Sequence, residues 1–206
     1  KDFLPAKLTL SALNKAAQHC EGCHLYQDAT QTVFGEGSKD AQLIIVGEIP
    51  GDKEDIQGKP FVGPAGALLR QALEFSDLDW EDIYLTNVVK HFKFYYKNNR
   101  RMHRSPVGAE IKACKPWLDA EIKVVQPKVI VCLGAVAAKS LIDKKFQINK
   151  SRGKWFEYNF TENISGKVLA TYHPSAILRA PDEVARHEMK QAFIKDFKKV
   201  AKAICL

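Results

Sequence analysis

The stretch from residue 42 to residue 69, QLIIVGEIPGDKEDIQGKPFVGPAGALL, constrains the fold more than any other part of the sequence. It begins with a short β-branched apolar run, Leu43 to Val46, which is typical of a strand buried on both faces. Glycine and proline then mark a loop, and a helical pattern of apolar residues starts near Pro64. Because open α/β sheets bind ligands at the carboxyl ends of their strands, this loop is a candidate binding site.

Further strands and helices alternate along the rest of the chain. Apolar β-branched runs predict strands over residues 83–89, 128–133 and 167–172, and helical patterns cover 8–19, 64–75, 107–125, 135–142 and 184–204. Residues 147–160 are interpreted as a loop leading into an edge strand or hairpin. This alternation predicts an α/β fold, a three-layer α/β/α sandwich with a central, mostly parallel four-stranded sheet, in one domain over residues 1–206.

Composition and charge narrow the class of protein. A chain of 206 residues with 46% hydrophobic content can bury one substantial core, and no apolar run is long enough to cross a membrane. We therefore expect a soluble, cytoplasmic protein without a membrane partner. The net charge of +7 favours a polyanionic partner such as a nucleic acid.

The cysteines suggest a metal site. Cys20 and Cys23 form a C-x2-C pair, and in a cytosolic protein such a pair is seldom a structural disulfide. Together with Cys114 and Cys132 they supply four thiolates, which suit either tetrahedral zinc or an iron–sulfur cluster. Alternatively, the last two are ordinary buried cysteines. Cys205, next to last in the chain, is left out of the ligand set.

Polar residues follow several predicted strands and are expected to meet in one cleft. The glycine loop carries Glu48 and Asp52, with Phe61 further along. Asn87 ends an apolar strand, where its amide must find partners or tie down a turn. His173 follows the last parallel strand directly, as either a functional residue or a satisfied core histidine.

A basic and aromatic stretch, KHFKFYYKNNRRMHR, occupies residues 90–104. Cations interleaved with aromatic rings can bind phosphates while stacking on exposed bases. The alternative is a solvated basic loop with a few of its aromatic residues in the core.

Several motifs, taken in order, carry a resemblance to a known family. They are Cys20-x2-Cys23, Thr32 to Gly37 (TVFGEG), Gly47-Glu48-x-Pro50-Gly51, Gly58 to Gly66 (GKPFVGPAG), Thr86 to Lys90 (TNVVK) and His173-Pro174-Ser175. Together they resemble family 4 uracil-DNA glycosylases. The sequence RRMHRSP at residues 100–106 resembles the basic, histidine-containing loop of the UdgX subgroup, bacterial proteins that become covalently attached to uracil-containing DNA.

The resemblance implies a function and a set of site residues. It implies a 4Fe-4S cluster on Cys20, Cys23, Cys114 and Cys132, and excision of uracil from DNA, preferably single-stranded, by a monomer that releases free uracil. His103, Glu48 and His173 are the expected catalytic residues. Uracil is expected to contact Gly47, Ile49, Gly51, Asp52, Phe61, Asn87 and Arg179. Contacts to DNA are expected from Lys97, Arg100, Arg101, Arg104 and Ser175.

Within this resemblance the role of His103 decides the outcome of the reaction. If its imidazole lies over C1′ of the sugar, it can capture that carbon and leave the protein covalently attached. A conventional enzyme would use water instead, and a third possibility is a non-catalytic iron–sulfur DNA-binding protein. One residue departs from the UdgX pattern, because Ile49 stands where those proteins have glutamine. We expect this change to affect the rate or the choice of nucleophile rather than folding.

Overall fold

The protein is described by a computed structural model, which covers residues 3–161 and 164–204. Its centre is a five-stranded sheet in the order β2-β1-β5-β7-β6. The strands are β1 (Leu43–Gly47), β2 (Ile83–Asn87), β5 (Val129–Leu133), β6 (Trp155–Thr161) and β7 (Ile164–Thr171). Strands β1, β2, β5 and β7 pair in parallel, whereas β6 runs antiparallel to β7 at one edge. The predicted α/β fold is confirmed, with a fifth strand beyond the four predicted.

Helices cover both faces of this sheet. They are α1 (Leu10–Ala17), α2 (Asp52–Gln57), α3 (Pro64–Glu74), α4 (Gly108–Val125), α5 (Gly134–Leu141), α6 (Ile148–Ser151), α7 (Pro174–Leu178) and α8 (Glu183–Ile204). The predicted helices start and end within about two residues of these bounds. The short helices α2, α6 and α7 were not predicted, because one or two turns carry little periodic signal.

Two apolar clusters form the core, one on each side of the sheet. Successive residues of β1 alternate between them: Ile44 and Val46 face the side covered by α1 and α4, while Leu43 and Ile45 face α3 and α8. Because both faces are buried, β1 is apolar throughout and shows no polar alternation. No helix within the described ranges has the length and apolar character needed to span a bilayer.

The basic stretch forms a hairpin. Strand β3 (Phe94–Lys97) pairs antiparallel with β4 (Arg100–His103) in a separate two-stranded sheet. Asn98 and Asn99 make the turn with φ angles of 49° and 58°, the left-handed values that a two-residue hairpin turn requires. The expectation of a loop here was wrong in this detail, because the asparagine pair was not recognised as a turn.

The segment before β7 leads into an edge strand, as the sequence predicted. Residues 147–160 contain α6 and then enter β6, the edge strand, as expected. Cys205 lies outside the described residues.

Candidate active site

One cleft brings together most of the residues that the sequence indicated. It has a volume of about 580 Å³ and lies beyond the carboxyl ends of β1, β2 and β7. Its walls come from the glycine loop after β1, the loop before α3, the ends of β2 and β4, and residues 172–179. Ten predicted site residues line it: Glu48, Ile49, Gly51, Asp52, Phe61, Asn87, His103, His173, Ser175 and Arg179.

A larger cleft, of about 720 Å³, also borders the loop that carries Phe61. Within the described part of the chain, Phe61 is the one predicted site residue that lines it. The candidate catalytic groups therefore belong to the smaller cleft, in spite of its smaller volume.

Gly47 ends β1, and its lack of a side chain lets two cleft residues approach the backbone. A Cβ atom at this position would lie 2.8 Å from Cζ of Phe61 and would clash with Oδ1 of Asn87. Phe61 itself has a left-handed backbone, with φ of 56°, a conformation that bulky residues seldom adopt. Its carbonyl group packs against Gly66 so closely that a Cβ there would overlap it. The ring of Phe61 is thus fixed in the cleft by its backbone and by Gly47.

Two carboxylates in and after the glycine loop have different surroundings. Glu54, in the first turn of α2, accepts a hydrogen bond from the backbone N–H of Gly63 at 2.8 Å, which joins α2 to the start of α3. Oε1 of Glu48 is buried, and it has no hydrogen-bond partner among the described residues. Because an unpaired buried carboxylate oxygen is costly, this atom is available to accept a hydrogen bond from a group in the cleft.

A buried ion pair supports the end of β2. Nζ of Lys90 donates to Oε2 of Glu121 at 2.5 Å, to Oγ1 of Thr86 at 2.6 Å and to the carbonyl of Asn87 at 2.8 Å. The two charged side chains are 1% and 0% exposed. Glu121 also accepts from the hydroxyl of Tyr84 at 3.0 Å, and burial raises the pKa of that tyrosine. The backbone of Asn87 is therefore held by a charged network under the cleft.

The side chain of Asn87 is free to bind a ligand. The residue is only 4% exposed, and its side-chain amide makes no hydrogen bond to other described residues. Asn87 lines the cleft, so its amide donor and acceptor can both bind a ligand there.

His173 is held in one tautomer by the start of α7. Its Nδ1 accepts a hydrogen bond from the backbone N–H of Ser175 at 3.1 Å, so the ring hydrogen lies on Nε2. Burial, together with smaller contributions from the neighbouring His103 and Arg179, lowers the pKa of His173 to about 4. At neutral pH this side chain is therefore an uncharged donor to the cleft.

His103 reaches the same cleft from the end of β4. The side chain keeps an exposed face, yet the protein atoms around it lower its pKa by desolvation. The carboxylate of Glu48 opposes this effect and Arg179 adds to it. The net lowering favours a neutral imidazole with a free electron pair at neutral pH.

Arg101 fastens the hairpin to α2. Its guanidinium contacts Oδ1 of Asp52 and Oδ2 of Asp55, each at 2.6 Å, and lies 5.4 Å and 5.1 Å from the ring centroids of Phe92 and Phe94. Cross-strand register places Arg101 on the same side of β4 as the residue two positions on. These contacts hold β4, the strand that ends at His103, against α2.

The other predicted DNA-binding cations lie outside the cleft. Lys97, Arg100 and Arg104 are exposed on the hairpin or just after it. Within the described ranges, none of the three makes an ion pair. Their binding to DNA stays a prediction.

Several cleft residues were not predicted, among them Lys53, Ile148 and Leu178. Leu178 is the most informative, because it is an apolar side chain that is 42% exposed and lines the cleft next to Arg179. This residue could have been predicted, because it lies between His173 and Arg179, which were both expected in the cleft. Ile148 comes from α6, and no sequence pattern links this helix to the cleft.

The four candidate ligand cysteines are free thiols in one apolar cluster. Within the described residues, no three His, Cys, Asp or Glu side chains converge to hold a single metal ion. Burial raises the pKa of Cys114 to about 12, and the nearby thiols of Cys20 and Cys23 contribute to this shift. Two buried donors point at sulfur: the Trp117 indole donates to Cys20 and the Lys90 backbone N–H to Cys114, each at 3.2 Å.

Comparison with known proteins agrees with this geometry. The profile of the uracil DNA glycosylase superfamily matches residues 34–198, a span that contains every lining residue of the cleft. The chain belongs to the uracil DNA glycosylase superfamily.

Relatives with curated names share most of the length of this uracil DNA glycosylase superfamily member. The type-4 uracil-DNA glycosylase of Thermotoga maritima is 37% identical over 92% of this chain and 92% of its own. Its counterpart from Archaeoglobus fulgidus is 36% identical over 93% and 92%. That of Sulfurisphaera tokodaii is 37% identical over 93% and 83%. The predicted resemblance to uracil-DNA glycosylases is confirmed at the level of the superfamily. These matches do not test the resemblance to the UdgX subgroup.

The buried ion pair gives a stability prediction. Replacing Lys90 with Met leaves the carboxylate of Glu121 without its cation, and we expect the free energy of unfolding to fall by about 3–5 kcal/mol. The double variant Lys90→Met/Glu121→Gln should recover part of this loss, because the amide still accepts hydrogen bonds from its neighbours. Urea unfolding followed by circular dichroism measures both values.

Lys115→Met is the matched control, because Lys115 pairs with Asp119 on the exposed surface of α4. Its unfolding free energy should change by less than about 1 kcal/mol. Equal decreases in unfolding free energy for the two lysine variants would show that the buried pair contributes no more to stability than the exposed one.

Proposed function

We propose that this protein excises uracil from DNA and then becomes attached to the abasic site through His103. The observation that carries the proposal is the position of His103 in the cleft that also contains Phe61, Asn87 and His173. The relatives named type-4 uracil-DNA glycosylases support the excision step. Capture by histidine rests on the hairpin of this chain.

Uracil must leave the base stack before it can enter the cleft, so the substrate is a single strand or a flipped nucleotide. The ring of Phe61 can stack on the base, and the side-chain amide of Asn87 can bind its Watson–Crick edge. The amide donates to a carbonyl and accepts from the ring N–H. Cytosine presents the opposite pattern there, so Asn87 discriminates against it.

Cleavage of the glycosidic bond moves its electron pair onto N1 of uracil and leaves a cation at C1′. Nε2–H of His173 can donate to a uracil carbonyl, and backbone N–H groups near Gly51 and Asp52 can add further donors. Stabilising the leaving anion in this way lowers the barrier without a protonated histidine. This suits the depressed pKa of His173.

Capture forms a bond between a ring nitrogen of His103 and C1′. The imidazole gives its electron pair to the sugar cation and becomes an imidazolium, which then loses the proton on its other nitrogen. Glu48 can accept that hydrogen bond while the positive charge forms. Uracil gains one proton and the imidazole loses one, so the overall reaction is balanced and releases neutral uracil.

A conventional hydrolytic enzyme is the second candidate, and the unpaired oxygen of Glu48 favours it. A water molecule in the cleft could donate to this oxygen and attack C1′ in place of the histidine. Ile49 lines the cleft and is 6% exposed, so it offers no polar contact to either nucleophile. A non-catalytic iron–sulfur DNA-binding protein is the third candidate.

The cysteines are proposed to hold a 4Fe-4S cluster. Such a cluster binds one cysteine at each iron, so its ligands need not converge on one point as those of a single ion do. The N–H groups that point at Cys20 and Cys114 would stabilise thiolate charge, which fits this role. When bound, the cluster would connect α1, α4 and β5 and contribute to folding.

Further properties follow as proposals. DNA is expected to contact Lys97, Arg100, Arg101, Arg104 and Ser175, with single strands preferred. The expected form is a monomer with one domain over residues 1–206. The cytoplasm, where thiolates stay reduced, is the proposed compartment.

Replacing His103 with Ser or Gly should abolish the covalent complex with uracil-containing DNA, because neither side chain can supply the imidazole nitrogen. Free uracil should still appear if water enters the vacated space. Denaturing electrophoresis with single-stranded uracil DNA separates a shifted covalent band from an abasic product.

His187→Ser is the matched control, since His187 is exposed on α8 and does not line the cleft. It should form the complex as the unchanged protein does. A covalent band in the His103 variants would refute the capture step. An abasic product without a band in the unchanged protein would establish hydrolysis, and neither product would indicate a binding protein.

Gly47→Ala should reduce the rate constant of uracil release by about 100-fold, because the added Cβ displaces Phe61 and Asn87 by a fraction of an ångström or more. Gly108→Ala is the control, because a Cβ there would meet nothing within 4 Å. Single-turnover kinetics, with the protein in excess over a uracil oligonucleotide, gives both values whether or not the protein stays attached. Equal rate constants in the two variants would contradict the proposed fit of the base.

Cys114→Ser should lose the brown colour and acid-labile sulfide that we expect in the anaerobically purified protein. Cys205→Ser should keep both, because Cys205 is not in the proposed ligand set. Iron and sulfide analysis, together with thermal unfolding, measures the difference. Bound zinc without sulfide in the unchanged protein would overturn the cluster assignment.

A further inference from the structure

The hairpin has two faces with different surroundings. Residues directly opposite in an antiparallel pair share a face. Tyr95 pairs with Met102 and Lys97 with Arg100, and these four residues form what we call the outer face. The remaining pairs, Phe94 with His103 and Tyr96 with Arg101, form the inner face.

The inner face makes ring and charge contacts within the protein. Phe94 stacks on Phe92 with ring centroids 5.1 Å apart, and Tyr96, although 70% exposed, makes an edge contact with Phe94 at 5.5 Å. Arg101 is ion-paired with α2, as described above. These contacts attach the hairpin to the rest of the protein through its inner face, which also carries His103.

The outer face has no such contacts. Tyr95 is 48% exposed and Met102 is 40% exposed. In the described part of the chain, these two side chains and those of Lys97 and Arg100 make no hydrogen bond, ion pair or ring contact. A flat ring and a polarisable thioether thus lie beside two unpaired cations, on the element that also carries the proposed nucleophile.

This combination matches the chemistry of an unstacked nucleotide. Bases stack on aromatic rings irrespective of sequence, and cations beside the ring bind the phosphates that link them. A duplex cannot offer the same contact, because its bases are stacked on each other.

We infer that the outer face binds a nucleotide of the single strand that flanks the extruded uridine. The base lies against Tyr95 and Met102, and its phosphate lies near Lys97 and Arg100. This inference rests on the proposed function and names the form of DNA that the site takes. It also assigns the two faces separate tasks, because the inner face positions His103 and the outer face holds the strand.

The test compares two tyrosines that are neighbours in β3 but lie on opposite faces. Tyr95→Ala removes the proposed stacking ring, whereas Tyr96→Ala removes an equally large ring from the inner face. Fluorescence anisotropy measures the affinity of each variant for a uracil-free single strand and for the matching duplex. The strand should be longer than the roughly 4–16 nucleotides that such surfaces occupy.

We expect Tyr95→Ala to weaken single-strand binding roughly fivefold or more, the loss that follows from one stacked base. The duplex should be bound with unchanged affinity, and Tyr95→Phe should restore single-strand binding because it keeps the ring. Tyr96→Ala should bind the single strand as the unchanged protein does. Equal losses at the two positions, or an equal loss on the duplex, would overturn the inference.

A separate measurement of uracil release by the unchanged protein shows which of the two proposals fails. Release together with equal losses at the two tyrosines overturns the outer-face assignment alone. Selective loss at Tyr95 without uracil release overturns the proposed function and supports the outer face as a single-strand-binding surface.

Discussion

The ion pair between Lys90 and Glu121 is the interaction on which the arrangement of the cleft depends. It is fully buried, and it joins the end of β2 to the middle of α4. The same lysine contributes its backbone N–H to Cys114, so one residue contacts both the proposed base-reading strand and a proposed cluster ligand. A buried pair adds little net stability but is costly to break, because the loss of one partner leaves an uncompensated charge, and here the lysine of the pair also binds the carbonyl of Asn87.

The cleft next to this ion pair is assembled from segments that are far apart in the sequence. The parallel strands end at one edge of the sheet, so Gly47, Asn87 and His173 come together although they are far apart in the sequence. The hairpin adds His103 from outside the sheet, and its position depends on Arg101 and the two carboxylates of α2. Most of the site is therefore built on the central sheet, whereas the proposed nucleophile lies on the separate β3–β4 hairpin.

The sequence was sufficient to predict the parallel strands, the glycine loop and the membership of the cleft, because these follow from apolar runs that end in polar residues. It was not sufficient for the hairpin, since Asn98 and Asn99 look like part of a basic loop until their backbone angles are known. The ion pairs of Arg101 were not predicted either, because its partners, Asp52 and Asp55, are about fifty residues away and leave no local pattern. Long-range charge pairing was therefore the missing information.

The two-residue turn of the hairpin restricts how this protein can change over evolution. Side chains of a strand alternate between faces, so a shift of the pairing by one residue would exchange the two sides of β4. Met102 would then point at the cleft, and the imidazole would point to solvent. A change in the length of the turn therefore preserves the chemistry only if β3 and β4 keep their present register.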